Sequence, residues 1–257
     1  MSITLYRRAL EQLEKNQGGV MATVVDSSSP SFKGAKFWWD EETMQQGEHA
    51  AFPVDIGEQI KLMCRQVWGD KKPQLRRIEA EGEGFVEVFF QPYLPPNFLV
   101  ILGGGHISTA LAPLAHNLNF QVTVVDDRPE FANAERFPNC RVICREFSEV
   151  FNELSLNLNT YVLIVTRGHK HDLLCLRKAL VTPARYIGMI GSKRKVNLLK
   201  EQVIQEGFSE GDWQQRVFAP VGLPIGGQTP AEIAISILAE IIAVKHGKRE
   251  PMEVKEN

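Results

Sequence analysis

Residues 97–127 constrain the fold of this chain more than any other stretch. A short apolar run at 98–102 has the length of a buried parallel strand. Three glycines follow at 103–105, then apolar residues at helical spacing, then a second strand that ends on Asp126 and Asp127. This order is typical of a dinucleotide-binding unit, in which glycines let the backbone approach a phosphate at a helix N-terminus and a carboxylate about 20 residues on binds a ribose.

The glycine pattern departs from the usual fingerprint at its third position, where Ser108 stands. Serine is small enough to keep the helix close to the strand, so the turn is still expected to form. The pattern therefore predicts a nucleotide- or phosphate-binding fold. The alternative is a doubly wound fold whose glycine turn holds no ligand.

Length and charge narrow the class of protein. The chain has 257 residues, enough for one large domain or two small ones with their own cores. A net charge of −2 gives no support for binding to nucleic acid or to an anionic membrane surface. The four cysteines form no CxxC pair, and neither a signal-peptide core nor a membrane-spanning stretch stands out. A cytoplasmic protein is expected.

Prolines at 92, 95 and 96 predict a linker between two domains. The predicted fold class is α/β, with a small N-terminal α+β domain at 1–95, a Rossmann-like parallel-sheet domain at 96–247 and a flexible tail at 248–257. In the first domain we expect helices at 4–16 and 56–68, a strand at 20–25, an irregular acidic segment at 40–51, and a hairpin of strands 76–80 and 85–90. The aromatic trio at 37–39 is expected to be a packed strand rather than a stacking surface.

Strands and helices alternate through the second domain, as in a parallel sheet with right-handed crossovers. Strands are expected at 141–144, 161–166 and 185–190, with helices after the last two and a weak one at 147–156. Thr229-Pro230-Ala231-Glu232 is a capping box that opens an almost wholly apolar helix. That helix is expected to lie against the sheet or against a second subunit.

The segment Gly191-Ser192-Lys193-Arg194-Lys195 places three cations and a hydroxyl at a helix start. Backbone amides, the helix dipole and the side chains all favour an anion there, so we predict a phosphate or carboxylate site. The alternative is a solvated basic helix start.

Two further segments carry weaker signals. Residues 166–172, TRGHKHD, include His169, His171 and Asp172, which could bind a metal together with one further protein ligand. Alternatively, this loop could contact a bound small molecule, or it could be purely structural, with Asp172 capping the next helix. Residues 222–232, GLPIGGQTPAE, could form a second anion-binding helix start or only a tight loop.

The second domain resembles the Rossmann domain of the xanthine dehydrogenase accessory proteins, the XdhC/CoxI family. Five motifs carry the resemblance in the same order: LGGGHIS, VVDDRPEFANAERFP, TRGHKHD, YIGMIGSKRK and VGLPIGGQTPAEIAISILAEIIA.

The first domain resembles the family at 18–37 and 85–92. It lacks the two cysteine-bearing turns common in the family, where residues 45–49 and 81–84 stand instead, so the domain looks shortened and direct sulfur or molybdenum coordination is not expected from them. Cys64 falls on an apolar helix face and is expected to serve packing.

The resemblance implies a chaperone that binds the molybdenum cofactor, molybdopterin, and helps to mature a molybdenum hydroxylase such as xanthine dehydrogenase, with a cysteine desulfurase as a further partner. It points to a maturation factor rather than an enzyme. The apolar last helix and the aromatic trio suggest a homodimer. The cofactor is expected to contact Gly103, Gly104, Gly105, His106, Asp126, Asp127, Arg128, Thr166, Arg167, Gly168, His169, Gly191, Ser192, Lys193, Arg194, Gly226 and Thr229.

The alternative function is an NAD(P)-dependent oxidoreductase that uses the same Rossmann domain. The acidic strand end at Asp126 and Asp127 favours a ribose with free hydroxyls over a 2′-phosphate. Only His169 or His171 would then be placed to exchange a proton with a substrate.

Overall fold

The computed structural model describes residues 3–15, 17–40, 44–46, 54–80 and 84–248. The chain divides into two compact units, Met1–Pro95 and Pro96–Asn257. The division falls within the proline segment. Each unit has its own hydrophobic core and is described by itself.

The first unit is built on an antiparallel sheet of five strands in the order β3-β2-β1-β5-β4. The strands are β1 Gly19–Ser27, β2 Lys36–Trp39, β3 Met44–Gln46, β4 Gln74–Ala80 and β5 Gly84–Tyr93. Helix α1, Ile3–Glu14, packs Leu5 and Ala9 with Met21 and Trp38 of the sheet. Helix α2, Val54–Asp70, packs Ile56, Ile60, Cys64 and Val67 into the main core.

Most of the sequence predictions for this unit are confirmed, and two are corrected. Strands β4 and β5 pair as the predicted hairpin. A strand, β3, lies in the segment predicted to be irregular. The proline segment does not leave the sheet at once, because β5 continues through Pro92, which pairs with Val20 of β1. On the other side of β5, the pairing with β4 ends at Phe90. Pro92 therefore has no neighbouring strand on that side, and its missing N–H is tolerated there.

The second unit holds a parallel sheet of six strands in the order β11-β10-β9-β6-β7-β8. The strands are β6 Asn97–Leu102, β7 Phe120–Asp126, β8 Arg141–Cys144, β9 Thr160–Ile164, β10 Tyr186–Met189 and β11 Val217–Phe218. The first strand lies in the middle and the chain winds outward on both sides of it. This is the Rossmann order, and the predicted α/β fold class is confirmed.

Helices cover both faces of this sheet. One face is covered by α3 His106–Asn117 and α8 Pro230–Lys245. The other face is covered by α4 Phe147–Val150, α5 His169–Leu180, α6 Lys193–Gln205 and α7 Glu210–Arg216. The central strands are buried on both sides, which explains their unbroken apolar sequences.

The sequence prediction was wrong about the bounds of two helices in this unit and missed two short elements. Helix α5 begins at His169, so the GHKHD segment is the first helical turn rather than a loop. The weak helix predicted at 147–156 is a single turn, α4. Helix α7 and the two-residue strand β11 were not predicted, because elements this short show no clear periodicity.

Both sequence signals for a dimer are accounted for within single units. Helix α8 packs Ala234, Ile237 and Ile241 against α3 and the sheet. Trp38 and Trp39 are buried in the first unit. The homodimer therefore stays a prediction without support from these two features. Among the described helices, none has the length and hydropathy to cross a bilayer.

Candidate functional site

The carboxyl edge of the parallel sheet includes the point at which the strand order reverses, which is the position of the crevice in open α/β sheets. Strand β6 pairs with β7 on one side and with β9 on the other. Helix α3 begins shortly after β6, and α5 begins shortly after β9. Crevices at such reversal points are where open α/β sheets bind ligands.

Gly103 and Gly104 are required by the fold. Gly103 has a φ of +118°, and a Cβ atom there would lie 2.4 Å from the carbonyl oxygen of Val165. A Cβ atom on Gly104 would lie 2.3 Å from the carbonyl oxygen of Phe131. These two glycines let the turn pass between neighbouring backbone segments.

Neither steric crowding nor backbone conformation requires a glycine at position 105. Its φ is −73°, which any residue adopts, and a Cβ atom on it would meet no described atom within 4 Å. Gly105 is also the N-cap residue of α3, so it offers no side chain to the amides of the first helical turn. We call these amides and the open position beside Gly105 the cradle; such a helix start favours an anion such as phosphate.

The helix starts along this edge fall into two kinds. Helix α5 also has a glycine N-cap, Gly168, without a side-chain cap. Helix α6 is capped by Ser192, whose hydroxyl accepts a hydrogen bond from the amide of Lys195 at 3.3 Å. The starts of α3 and α5 both lack a side-chain cap, as does the start of the single-turn helix α4, whose N-cap residue is Glu146.

The α8 start is already filled by a carboxylate. Glu232 Oε2 accepts hydrogen bonds from the amides of Thr229 and Gln228 at 2.9 and 3.0 Å. The Thr229 amide, followed by the Gln228 amide and the Thr229 hydroxyl, holds the pKa of Glu232 below its usual value. An external anion near Gly226 or Thr229 would have to displace this carboxylate, so the capping box favours the tight-loop interpretation of this segment.

Ser108 fills the position of the third glycine and strengthens the turn. It is fully buried, and its hydroxyl donates a hydrogen bond to the carbonyl of Gly103. The small side chain keeps α3 close to β6, as the sequence predicted, and it also ties the helix to the turn.

Both carboxylate oxygens of Asp126 are hydrogen-bonded within the protein. Its carboxylate accepts hydrogen bonds from the amide of Gly104 at 2.8 Å and from the guanidinium of Arg128 at 2.9 and 3.1 Å. Burial by itself would raise the pKa of Asp126, but the bonds from Arg128 and Gly104 outweigh it and the pKa lies below its usual value. Asp126 therefore organises the glycine turn and has little capacity left for a ligand.

Asp127 forms ion pairs with two arginines but is hydrogen-bonded through one oxygen only; Arg128 Nε lies 3.8 Å from its Oδ1 atom. Its Oδ2 atom accepts a hydrogen bond from Arg167 at 2.7 Å. Its Oδ1 atom is buried and receives no hydrogen bond from the described residues. Because Asp127 follows β7 and Arg167 follows β9, this ion pair spans the end of β6, where the glycine turn lies.

Three side chains buttress the turn, and two of them, Arg136 and Phe131, were absent from the predicted site. The guanidinium of Arg128 stacks 3.6 Å from the ring centre of Phe131, and that of Arg136 lies 5.3 Å from it. Arg136 also donates to the carbonyl of Gly104 and to the hydroxyl of Thr109, both at 3.1 Å. The signal was present in the motif RPEFANAERF, whose cations follow the acidic strand end.

The candidate metal ligands are not assembled into a metal site. Asp172 is fully buried and accepts hydrogen bonds from Thr166 and Lys195. His171 stacks edge-on against Phe147, with ring centres 5.5 Å apart. Within the described ranges, no group of three or more His, Cys, Asp or Glu residues could hold a metal ion.

Four of the remaining predicted site residues, two histidines and two cations, are exposed at helix starts along the carboxyl edge. His106 and His169 are the first residues of α3 and α5, and both are open to solvent. Lys193 and Arg194 are exposed in the first turn of α6. Lys195, by contrast, is withdrawn into its ion pair with Asp172.

Burial disfavours thiolate formation at three of the four cysteines, while the fourth, Cys144, is exposed. Cys64 is fully buried in the first unit, and burial raises the pKa of its thiol to about 12. Burial also raises the pKa of Cys175 and Cys140. Because the thiolate is the reactive form, a raised pKa lowers the reactivity of these three thiols at neutral pH. Cys64 lies in the core of the first unit, so the prediction that it serves packing is confirmed.

Comparison with known proteins supports the resemblance seen in the motifs. The chain is 36% identical over 171 residues to the uncharacterized Escherichia coli protein YqeB, covering 66% of this chain and 31% of that protein. It is 29% identical over 159 residues to a Bacillus subtilis protein described as a probable xanthine dehydrogenase subunit, covering 62% and 46% of the two chains. The matches thus span less than half the length of these relatives.

A crystal structure described as a xanthine dehydrogenase from Bacillus halodurans shares the fold. The TM-score is 0.71 at 24% identity, over 96% of this chain and 68% of that one. Residues 99–241 match the model of the XdhC Rossmann domain. Because this match covers more than half of the chain and includes the glycine turn and the crevice, the protein belongs to the XdhC family.

Proposed function

We propose that the protein is an accessory factor that carries the molybdenum cofactor for a xanthine dehydrogenase-type hydroxylase. One observation carries the proposal: the cradle formed by Gly105 and the uncapped start of α3, at the reversal point of the sheet. Molybdopterin bears a phosphate, and such a helix start binds phosphate through its amides and its dipole. Membership of the XdhC family and the name of the Bacillus subtilis relative support the choice of cofactor and partner.

The residues around the crevice are better suited to binding the cofactor than to catalysing a reaction. The cofactor would supply the molybdenum centre that a client hydroxylase uses for its reaction. The chain contributes phosphate donors at α3 and α5 and cations at Arg167, Lys193 and Arg194. Asp126 is bound by Arg128, and Asp172 by Lys195, which leaves neither carboxylate available as a general base.

The test is retention of cofactor by the intact chain. Protein purified from cells that make molybdopterin should carry it, detected by oxidation to its fluorescent pterin product, and should raise the activity of a cofactor-free hydroxylase. Gly105→Ala places a methyl group in the cradle and should lower retention at least tenfold. Lys178→Ala, at the far end of α5, is the matched control. Protein that carries no pterin and does not activate the hydroxylase would overturn the proposal.

The alternative function, an NAD(P)-dependent oxidoreductase, would use the same carboxyl edge of the sheet but predicts binding of a nicotinamide cofactor instead of a pterin. A chain that bound NAD tightly and failed to retain pterin would favour it. Calorimetric titration with NAD and NADP, run beside the pterin assay, separates the two functions.

A further inference from the structure

An ion pair lies across the carboxyl end of β6. The turn there is enclosed on both sides: the amide of Gly103 donates to the carbonyl of Val125 at 2.7 Å, and a Cβ atom on Gly103 would lie 2.4 Å from the carbonyl oxygen of Val165. Asp127 follows Val125 by two residues, and Arg167 follows Val165 by two residues. The hydrogen bond of 2.7 Å from Arg167 to Asp127 therefore joins the two sides of the turn. We call this ion pair the bridge.

The two ends of the bridge are held to different degrees. The Asp127 side chain is 8% exposed and forms a second ion pair with Arg128, whose Nε atom lies 3.8 Å from the Oδ1 atom of Asp127. Arg128 is itself hydrogen-bonded to Asp126, so Asp127 is the fixed end. The Arg167 side chain is 47% exposed, so it is the end that can move.

The backbone that carries Arg167 is fixed although its side chain is exposed. Thr166, the residue before it, donates a hydrogen bond to the fully buried Asp172 at 2.6 Å. Breaking the bridge thus requires rotation of one side chain and no movement of the sheet. It also leaves no buried charge alone, because Asp127 keeps its ion pair with Arg128.

We propose that the bridge is an autoinhibitory contact: it holds Arg167 across the turn until an anion at the start of α3 draws the guanidinium away from Asp127. The inference rests on the proposed function, in which that anion is the phosphate of the carried cofactor. Asp127 acts against binding, because it competes with the phosphate for one guanidinium. This role is opposite to that of the carboxylate in dinucleotide folds, which binds the ribose.

The strength of the bridge sets the size of the expected effect. The apparent affinity for an anion is lowered by the fraction of molecules in which Arg167 is available to it. An ion pair at the upper end of the usual range for partly exposed pairs is formed in roughly five molecules of six, so its removal should raise the affinity about sixfold.

The test is calorimetry on the intact chain with inorganic pyrophosphate, which has the charge of a phosphate ligand and no sugar. Asp127→Asn keeps the size of the side chain, removes its charge, and should bind pyrophosphate about sixfold more tightly than the unaltered chain. Arg167→Ala should bind it more weakly, because the anion loses a guanidinium. Asp127→Ser is a second variant with the same expected gain, for use if Asp127→Asn does not fold.

A double variant separates the bridge from a general effect of charge. Removing a carboxylate near an anion site can strengthen binding by itself, so the gain from Asp127→Asn has to depend on Arg167. In the Arg167→Ala background, Asp127→Asn should raise the affinity by less than about twofold. Glu206→Gln removes a carboxylate from an exposed ion pair with Arg177 and is the matched control, with no change expected.

Three results would overturn the inference: no binding of pyrophosphate by the unaltered chain or by Asp127→Asn, binding by Asp127→Asn that is equal to or weaker than that of the unaltered chain, or the same gain with and without Arg167. Retention of pterin by the purified protein, alongside any of these, leaves the carrier function standing. A gain that depends on Arg167, in a protein that retains no pterin and activates no hydroxylase, supports the bridge and rejects the carrier function.

Discussion

Adjacent glycines in the turn after β6 have different tasks. A Cβ atom on Gly103 would lie 2.4 Å from a backbone oxygen, and its φ of +118° is strained for other residues. A Cβ atom on Gly105 would meet nothing within 4 Å, and its φ of −73° is ordinary. The same substitution therefore separates a structural glycine from one that faces the crevice.

We expect Gly103→Ala to lower the free energy of unfolding by at least about 2 kcal/mol, through backbone strain and steric clash. Gly105→Ala should change it by less than about 1 kcal/mol, because a small loss at the N-cap offsets the entropy gained. Urea denaturation of both variants measures this. Equal destabilisation would contradict the separation of roles.

The lowered pKa of Asp126 predicts a pH dependence of stability. An unfolded aspartate titrates near 3.9, so the contribution of Asp126 is present above about pH 4 and is lost as the pH falls through its folded pKa. Asp126→Asn should remove this part of the acid sensitivity and cost about 3 kcal/mol at pH 7, since Arg128 loses its partner.

Denaturation between pH 2.5 and 7 tests the assignment to Asp126. The curves of the variant and the unaltered chain should converge at the acid end. Curves that stay parallel would show that Asp126 does not carry the effect.

At the scale of elements, α5 and α6 are joined at their starts by a buried ion pair. Asp172 is fully buried, and Lys195 is 16% exposed and also donates to the carbonyl of Ile190 at 3.3 Å. Thr166 holds the other oxygen of Asp172 at 2.6 Å. The pair fixes both helix starts at the carboxyl edge.

Lys195→Met should destabilise the second unit by about 3–5 kcal/mol, because it leaves a buried charge without a partner. The double variant Lys195→Met with Asp172→Leu should recover most of that loss, since no charge remains. A double-mutant cycle by chemical denaturation measures the coupling. Strictly additive losses would rule the coupling out.

At the scale of the molecule, the chain consists of two units with separate cores. In the second unit, Trp213 lies 6% exposed in the core and is the single tryptophan of residues 96–257. This makes the folding of the unit visible by fluorescence.

A fragment of residues 96–257 should fold alone, with blue-shifted Trp213 emission and one cooperative thermal transition. Its cores cover both faces of the sheet, so it does not need the first unit to bury its apolar strands. The fragment of residues 1–95 is the matched control for cooperativity. Emission typical of exposed tryptophan would contradict the prediction.

Much of the fold could be predicted from local patterns. The apolar runs of β6, β8 and β9, the Thr229 capping box and the β4–β5 hairpin were visible because burial and capping leave periodic signatures. Short elements such as α7 and β11 leave no periodic signature in the sequence, so they could not be predicted from it. The continuation of β5 through Pro92 depends on where its neighbour β4 ends, which is a property of the sheet.

The sequence by itself determined that a glycine turn joins a strand to a helix and that two carboxylates follow the next strand, because both features are local. The tertiary structure decided what each does. It places the Gly104 amide and Arg128 on Asp126, and brings Arg167 from 40 residues away to one oxygen of Asp127. Strand order and side-chain packing, which only the folded chain brings together, distinguish Asp126, hydrogen-bonded through both oxygens, from Asp127, hydrogen-bonded through one.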